Sequence, residues 1–395
     1  MPDVKSSRTR NGRERTGHEP YTSPLVDRIV AGGGELRVGE VTINLAREFG
    51  FCYGVDRAVA FAYETRRRHP DHRVWLVGEI IHNPSVNERL REMGIGFLFG
   101  QHADGRGYEE VAADDIVILP AFGIPMEDME RLIRIGCELV DTTCGSVMLV
   151  WKNVGQYAAD GFTSVIHGKF YHEETMATAS RATWEGGHYL IVRDREEAAV
   201  VAAYIRGWGQ DREAFLERFR LALSPGFDPD VHLEKIGLAN QTTMLKSESL
   251  HIAGILRDAI ADRWGGDELS RRFRNFETIC SATQERQDAI LDLLTRPLDL
   301  VLVIGGYNSS NTNNLAQIAA GRVTTYHIDS AAGIRPGNVI RHKPVDQKEP
   351  VEQAGWLPDG PVQIGITAGA STPDSEVGEA IARLLAERGL TIPEV

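Results

Sequence analysis

Short runs of apolar residues alternate along the chain with stretches of helical period, and a turn rich in Gly, Asn or Ser separates the two. DIVILPAFGIP is followed in this way by MEDMERLIRIG, and LVLVIGGYNSSN by TNNLAQIAA. Apolar runs of this length are typical of buried parallel strands, and the stretches after them have the period of surface helices. The pattern predicts an α/β protein with mostly parallel sheets.

Two segments depart from this pattern. Residues 207–234 contain a charged amphipathic helix and a Pro/Gly turn, which we interpret as an insertion. We expect a flexible arm at residues 1–35, because its first part mixes basic and acidic residues and has no apolar centre. A secretory signal needs such a centre, and a plastid-targeting peptide is disfavoured by the short length and the acids. We therefore expect a cytoplasmic protein, with a plastid as the alternative for a plant-like source.

The composition argues against two classes of protein. Hydrophobic residues make up 42% of the 395 residues and charged residues 25%, which is usual for globular proteins. No stretch approaches the roughly 20 apolar residues of a membrane span. A formal net charge of −13 disfavours a general nucleic-acid binder, because that role needs a basic surface. We expect neither a membrane nor a nucleic-acid partner.

Three of the four cysteines stand directly before stretches of helical period. They are Cys52, Cys144 and Cys280, whereas Cys137 lies within a strand-like run. Helix N-termini favour the thiolate, which is the form that binds metals. Three sulfurs leave one metal position open, as catalytic metal sites do, and the wide spacings exclude zinc ribbons and small ferredoxins. Burial of each cysteine as a small hydrophobic residue is the alternative.

Polar side chains collect in the turns after the predicted strands. They are His82; His167, His172, Glu173, Glu174 and Thr175; Gln241, Thr242 and Thr243; Asn308, Ser309, Ser310, Asn311 and Thr312; and Thr367, Gly369 and Ser371. Each is compatible with an ordinary turn or helix cap. Hydroxyls, amides and backbone N–H groups at helix N-termini also bind anions, so a diphosphate would fit here without a Walker loop.

The motifs in these turns resemble those of one enzyme family. Similarity to the 4-hydroxy-3-methylbut-2-enyl diphosphate reductases runs in order through FGFCYGVDRAV, EIIHNPSVNERL, ILPAFG, VDTTC, SVIHGKFYHEETMATAS, ANQTTMLK, TICSATQERQDAI, GGYNSSNT and GITAGASTPD. It covers roughly residues 36–385 and is closest to the plant and cyanobacterial branch. The family catalyses the last step of the methylerythritol phosphate route to isoprenoids.

The resemblance implies three pseudo-threefold-related α/β units with mostly parallel sheets around a central iron–sulfur cluster. We expect the first unit at residues 36–143, with residues 373–395 returning to it, the second at 144–279 and the third at 280–372. The implied cofactor is one [4Fe-4S] cluster with three ligands, Cys52, Cys144 and Cys280, and an open apical iron.

The resemblance also implies roles for the polar residues. The implied substrate contacts are His82, His172, Thr242, Ser309, Ser310, Asn311 and Ser371. Glu174 and Thr242 would deliver protons, with His172 as a third catalytic residue. Two electrons from a ferredoxin or flavodoxin would remove the allylic hydroxyl as water and yield isopentenyl or dimethylallyl diphosphate. We expect a monomer or a homodimer.

The chain departs from the family pattern near the second cysteine. The family has C-P-x-V-x-K there, whereas this chain has Gly145 in place of Pro and Leu149 in place of Lys. In addition, Phe122 stands where many bacterial members have His. The plant-like branch shares the Phe122 change, so it need not mean lost activity. The changes at Gly145 and Leu149 leave open a diverged paralogue, either an iron–sulfur redox sensor or an enzyme for a different allylic diphosphate. A zinc hydrolase with three cysteine ligands is a third, weaker hypothesis.

Overall fold

The computed structural model describes residues 7–8, 14–15, 19–207 and 211–392. The strands are β1 (Ser7–Arg8), β2 (Glu14–Arg15), β3 (Glu35–Val38), β4 (Val41–Leu45), β5 (Val74–Leu76), β6 (Ile95–Phe97), β7 (Ile116–Leu119), β8 (Glu138–Asp141), β9 (Thr163–His167), β10 (Tyr189–Val192), β11 (Ile236–Asn240), β12 (Phe273–Asn275), β13 (Leu300–Ile304), β14 (Thr324–Ile328), β15 (Ile334–Arg335), β16 (Val339–His342), β17 (Val351–Ala354) and β18 (Val362–Ala368). The helices are α1 (Pro24–Ala31), α2 (Tyr53–Arg68), α3 (Pro84–Glu92), α4 (Met126–Ile135), α5 (Gly145–Ala159), α6 (Glu173–Trp184), α7 (Arg195–Arg206), α8 (Arg212–Arg218), α9 (Pro229–His232), α10 (Lys246–Trp264), α11 (Leu269–Arg272), α12 (Ser281–Leu293), α13 (Ser310–Ala320) and α14 (Asp374–Glu387).

The chain forms two compact units. The first comprises residues 1–71, 79–102 and 281–395, and the second comprises residues 72–78 and 103–280. The predicted boundaries of three units at 36–143, 144–279 and 280–372 stay a prediction. Among the described residues, no helix combines the length and the apolarity needed to cross a membrane.

A five-stranded sheet forms the centre of the first unit. Its strand order is β14-β13-β18-β4-β3, and every neighbouring pair is parallel except β3 with β4. Strands β4 and β13 are buried along their whole length, and β18 along most of it. Burial on both faces explains why β13 reads LVLVI without a polar residue, whereas VTINL and VQIGITA alternate apolar residues with Thr, Asn, Gln or Gly. A small antiparallel sheet, β15-β16-β17, belongs to the same unit.

Part of the expected N-terminal arm is a folded helix. Ser23 caps α1 by accepting a hydrogen bond from the Val26 amide, and Pro24 occupies the first turn. Val26 and Ile29 are buried in the core of the first unit, and α1 packs against α14. Residues 24–31 therefore differ from the flexible arm expected at 1–35, because a capped helix with an apolar stripe gains from burial. Residues 1–6, 9–13 and 16–18 of the arm lie outside the described part of the chain.

Two parallel sheets build the second unit. Strand β7 pairs with β5 and β8, and a four-stranded sheet has the order β10-β9-β11-β12 with all pairs parallel. Helices follow the strands as the apolar pattern indicates, for example α6 after β9 and α10 after β11. The predicted α/β class with mostly parallel sheets is confirmed.

The insertion at residues 207–234 covers the edge of the four-stranded sheet. Leu223 forms an antiparallel bridge with Leu190 of the edge strand β10. The Ile191 amide donates to the Ala222 carbonyl at 2.8 Å, and the Ser224 amide donates to the Tyr189 carbonyl at 3.1 Å. The insertion holds α8 and α9, whereas residues 208–210 lie outside the described part. It satisfies backbone groups that an open edge would leave to solvent.

Candidate functional site

Three cysteines stand at the starts of helices. Cys52 and Cys144 are the N-caps of α2 and α5 with extended backbones, and Cys280 directly precedes α12. All three are half-buried, whereas Cys137 is buried. Burial raises the pKa of the Cys137 thiol, which keeps it protonated and makes it a poor metal ligand. Three helix-terminal sulfurs thus have the donor chemistry that an iron–sulfur cluster requires.

In the second unit, the loop after β7 connects Cys144 to His172. The Cys144 amide donates to the Ala121 carbonyl at 3.0 Å. The neighbouring Phe122 ring meets the His172 ring edge-on, with 6.2 Å between the centroids. An aromatic ring at this position cannot donate a hydrogen bond as a histidine would, so Phe122 confines His172 by packing.

His172 caps α6 with its side chain. The ring Nδ1 accepts a hydrogen bond from the Glu174 amide at 3.2 Å, and the residue is buried. Because Nδ1 accepts, the ring hydrogen of the neutral imidazole must sit on Nε2. The cap therefore gives His172 a defined donor atom, Nε2–H.

Glu174 and Thr242 form a buried pair. The Thr242 amide donates to Glu174 Oε1 at 2.6 Å, and the Thr242 hydroxyl donates to Oε2 at 3.1 Å. The side chains are 2% and 5% exposed, so the exchange of protons with bulk water is restricted. The Thr242 carbonyl in turn accepts a hydrogen bond from the Cys280 amide at 3.2 Å. A carboxyl group and a hydroxyl group are thus held on the loop that also fixes Cys280.

Gln241 supports this pair. Its Oε1 accepts hydrogen bonds from the Lys169 amide at 3.1 Å and from the Thr175 hydroxyl at 3.2 Å. It thereby ties the loop after β11 to the HGKFYHEET loop. His167, the first histidine of that loop, is instead a core residue: burial lowers its pKa to about 4, and Nδ1 lies 2.9 Å from the Ser249 hydroxyl.

In the first unit, the loop after β18 holds Cys52. The Cys52 amide donates to the Ala370 carbonyl at 3.1 Å, and the Ala370 amide donates to Asn311 Oδ1 at 2.9 Å. Asn311 is 2% exposed, and its Nδ2 has no hydrogen-bond partner among the described residues. A buried amide donor without an acceptor costs free energy, so this atom is suited to an anionic oxygen.

The GGYNSSN turn presents further donors. Ser309 caps α13, and its hydroxyl oxygen accepts from the Thr312 amide at 3.3 Å and the Thr312 hydroxyl at 3.0 Å. The hydroxyl hydrogen of Ser309 remains available for a ligand. Ser310 begins the same helix and is also buried. The free end of a helix dipole adds a favourable field for an anion.

His82 is held through both its backbone and its ring. Its carbonyl accepts from the Ser371 hydroxyl at 3.1 Å, and both residues are buried. The ring Nδ1 lies 3.2 Å from Glu79 Oε2 and 3.3 Å from Asn308 Nδ2. Described contacts thus link His82, Ser371 and the GGYNSSN turn within the first unit, as they link His172, Glu174 and Thr242 within the second.

Sequence reasoning missed Glu79 as part of this site. The only signal was its spacing, three residues before His82 in the EIIH stretch, and acids are common in such turns. Asn308 was noted as a turn residue, but not as a partner of His82.

Comparison with known proteins identifies relatives over most of the chain. The family described as LytB protein matches residues 43–385. A protein of Thermosynechococcus vestitus is 51% identical over 372 residues, which cover 94% of this chain and 90% of that protein. One of Cyanothece sp. is 48% identical over 367 residues, with 93% and 89% covered. Both are named 4-hydroxy-3-methylbut-2-enyl diphosphate reductase.

Two solved structures share the fold. A structure of (E)-4-hydroxy-3-methyl-but-2-enyl diphosphate reductase, the terminal enzyme of the non-mevalonate pathway, is 26% identical, with a TM-score of 0.52 and coverage of 89% of this chain and 100% of that chain. The E-1-hydroxy-2-methyl-but-2-enyl-4-diphosphate reductase of Plasmodium falciparum is 21% identical, with a TM-score of 0.62 and 87% of each chain covered, and its likeness shows the fold alone. Because the family match and relatives of about half identity span nearly the whole chain, the protein belongs to the LytB family.

Proposed function

We propose that this protein is a 4-hydroxy-3-methylbut-2-enyl diphosphate reductase, the last enzyme of the methylerythritol phosphate route. The reaction adds two electrons and two protons to the substrate and releases one water, giving isopentenyl or dimethylallyl diphosphate. The observation that carries the proposal is the buried Glu174–Thr242 pair on the loop that hydrogen-bonds to Cys280. A reduction that consumes protons needs a donor kept apart from bulk water.

Cys52, Cys144 and Cys280 are the proposed ligands of one [4Fe-4S] cluster. Their half-burial at helix starts suits thiolate ligands, and three ligands leave the apical iron open. Such a cluster, when bound, would supply the electrons and a Lewis acid for the departing hydroxyl. The proposed source of electrons is a ferredoxin or a flavodoxin, and the proposed location is the cytoplasm, as a monomer or a homodimer.

The substrate diphosphate is proposed to bind the buried donors of the first unit. Asn311 Nδ2 and the Ser309 hydroxyl would donate to phosphate oxygens, together with Ser310, Ser371 and His82. An anchored diphosphate limits the positions of the allyl fragment, which lowers the entropic cost of the reaction.

Protonation is proposed to involve Glu174, Thr242 and His172. The Thr242 hydroxyl bridges to the Glu174 carboxylate, so a proton can pass between them without a change of backbone. The protonated form of the carboxyl group is the form that can donate. His172 Nε2–H is a further donor, suited to the substrate hydroxyl or a phosphate oxygen.

The departures from the family pattern after Cys144 are accommodated locally. Helix α5 begins at Gly145, where a Cβ would meet no atom within 4 Å, so a side chain is not excluded there by space. Leu149 is 52% exposed, so the loss of a lysine alters surface charge more than packing. The comparisons do not support a redox sensor or another diverged paralogue, and a sensor would not need the buried donor set of Glu174, Thr242 and Asn311.

The test is anaerobic purification followed by iron, sulfide and zinc analysis, and a reductase assay with 4-hydroxy-3-methylbut-2-enyl diphosphate and a chemical reductant. A cluster together with both products supports the proposal. A cluster without product overturns it in favour of the sensor, and zinc without sulfide in favour of the hydrolase. Cys280→Ser should lose the cluster, whereas the matched variant Cys137→Ser should keep both cluster and turnover.

A further inference from the structure

Glu79 stands at the centre of a polar cluster in the first unit. Its Oε2 lies 3.2 Å from His82 Nδ1 and 3.0 Å from Asn308 Nδ2, and its Oε1 accepts from Gln101 Nε2 at 2.9 Å. The carboxylate is only 14% exposed. Burial tends to raise the pKa of Glu79, but hydrogen bonds with His82 and Asn308 outweigh it and hold the pKa below its ordinary value. The group is therefore ionised at neutral pH.

An ionised carboxylate can only accept hydrogen bonds, and this decides which ring nitrogen of His82 faces it as a donor. Nδ1 must carry a hydrogen to bond to Glu79 Oε2, so the Nε2 edge of the ring is turned away from Glu79. An anion that approaches Nε2 needs a hydrogen on that nitrogen too. A diphosphate-bound His82 would then carry hydrogen on both nitrogens, as an imidazolium between two anions.

The backbone of His82 is held independently of this interaction. Ser371 donates to its carbonyl, and Gly306 packs so closely that a Cβ there would lie 2.7 Å from the carbonyl oxygen. Only the ring therefore depends on Glu79. Without the carboxylate, Asn308 Nδ2 would remain beside Nδ1 at 3.3 Å. An amide N–H donates, so it would favour an Nδ1 without hydrogen and a neutral ring.

We propose that Glu79 is a positioning residue that orients His82 and supports its cationic form for binding the substrate diphosphate. The inference rests on the proposed function, because His82 is a proposed substrate contact. The effect of the Glu79 carboxylate on diphosphate binding is then opposite to the one expected from its charge. A carboxylate acting only through its charge would repel a diphosphate, and its removal would tighten binding. A positioning carboxylate does the opposite, since its removal leaves His82 as a neutral ring beside Asn308, which attracts the anion less.

The experiment measures the binding of inorganic diphosphate to the anaerobically purified holoprotein by titration calorimetry at pH 7.5. Glu79→Ala should weaken binding about tenfold, the scale of one hydrogen bond to a charged group. The affinity of Glu79→Gln should fall between those of the unmodified protein and Glu79→Ala, because its amide oxygen can still accept a hydrogen bond from His82 Nδ1. The matched control is Glu88→Gln on α3, where an exposed carboxylate pairs with Arg91; binding should stay within about twofold, as for a surface pair.

A second readout follows the ring itself. Long-range 1H–15N spectra report whether each ring nitrogen carries a hydrogen, and the His82 signal is the one that His82→Gln removes. With inorganic diphosphate bound, the unmodified protein should show both nitrogens protonated and Glu79→Ala a neutral ring. A folded Glu79→Ala protein that binds diphosphate equally or more tightly, or whose His82 signature is unchanged, overturns the inference. So does an unmodified protein that binds no diphosphate.

The reductase assay separates this inference from the proposed function. An active protein whose Glu79→Ala variant binds diphosphate normally refutes the positioning role alone. An inactive protein that binds diphosphate, and in which Glu79→Ala shows the expected loss, refutes the reductase proposal while the positioning role stands. In an active protein, Glu79→Ala should raise KM about tenfold and change kcat much less, because the lost interaction binds the unreactive end of the substrate.

Discussion

Replacing Glu174 by Gln tests the proton-delivery proposal most directly. The amide has nearly the shape of the carboxylate, and its oxygen can still accept one hydrogen bond from Thr242. It cannot deliver a proton at neutral pH. General acid catalysis contributes about 10²- to 10⁴-fold, so kcat should fall by about that factor, or about 3–5 kcal/mol in barrier height.

The effect on folding should be much smaller. Thr242 donates twice to Glu174, at 2.6 and 3.1 Å, and the amide retains one of these bonds. Loss or weakening of the other costs about 1–3 kcal/mol of unfolding free energy in a buried site. Urea unfolding measures this cost, and the iron and sulfide content shows whether the cluster is retained.

The matched control is Glu173→Gln, one residue earlier on the same helix turn, where the side chain is 59% exposed. The assay compares kcat for the two variants with a chemical reductant, so that docking of a protein electron donor plays no part. Glu173→Gln should stay within a few-fold of the unmodified protein. If Glu174→Gln also turned over at a near-normal rate, Glu174 would have no role in protonation, and the argument from its burial would be refuted.

Three further predictions concern stability. Asp115→Ala should lower the unfolding free energy in urea by about 3 kcal/mol, because the Trp75 Nε1–H and the Ala112 amide would lose the 2%-exposed carboxylate that accepts their hydrogen bonds. A loss under 1 kcal/mol would contradict the reasoning. Burial lowers the pKa of His188 and His232, whose ring centroids are 3.6 Å apart in a stacked arrangement. Their folded-state pKa values lie below the unfolded value of about 6.5, so their contribution to folding stability is present above that pH and is lost as the pH falls. The protection factors of residues 219–232, which correct hydrogen exchange for the intrinsic rate at each pH, should therefore fall from pH 7.5 to pH 5, and unchanged or higher protection factors would count against the reasoning. Gly123→Ala should lower the melting temperature by several degrees, since φ is +76° and a Cβ would lie 2.3 Å from the Trp151 ring; an unchanged melting temperature would show that the ring moves freely.

The local pattern of the sequence predicted individual strands and helices better than it predicted which of them pack together. LVLVI and the helical stretch after it indicate β13 and α13, because the apolar run and the turn residues that follow it are adjacent in the sequence. Nothing local shows that β4 pairs with β18, a strand from the other end of the chain. Helix α1 was missed because its apolar stripe is short and lies beside a charged segment, so its stability comes from packing on α14.

The same distinction holds for the site. Cys52, His82 and Ser371 were predicted as site residues because they stand in turns after predicted strands, within motifs that resemble one family. The use of Glu79 depends on where the turn that carries Asn308 is folded, which is a tertiary property. Sequence reasoning therefore nominates candidate groups more readily than the contacts between them.

The cover on β10 has a consequence for how the protein is made. The strand reads YLIV, and an uncovered apolar edge of this kind can template pairing with another chain. The covering segment follows β10 in the chain and precedes β11, which pairs with β9 on the opposite side of the sheet. During synthesis from the N-terminus, the cover thus leaves the ribosome before the rest of the sheet is complete. The nascent chain can therefore cover this apolar edge early, so the insertion is expected to raise the yield of folded protein.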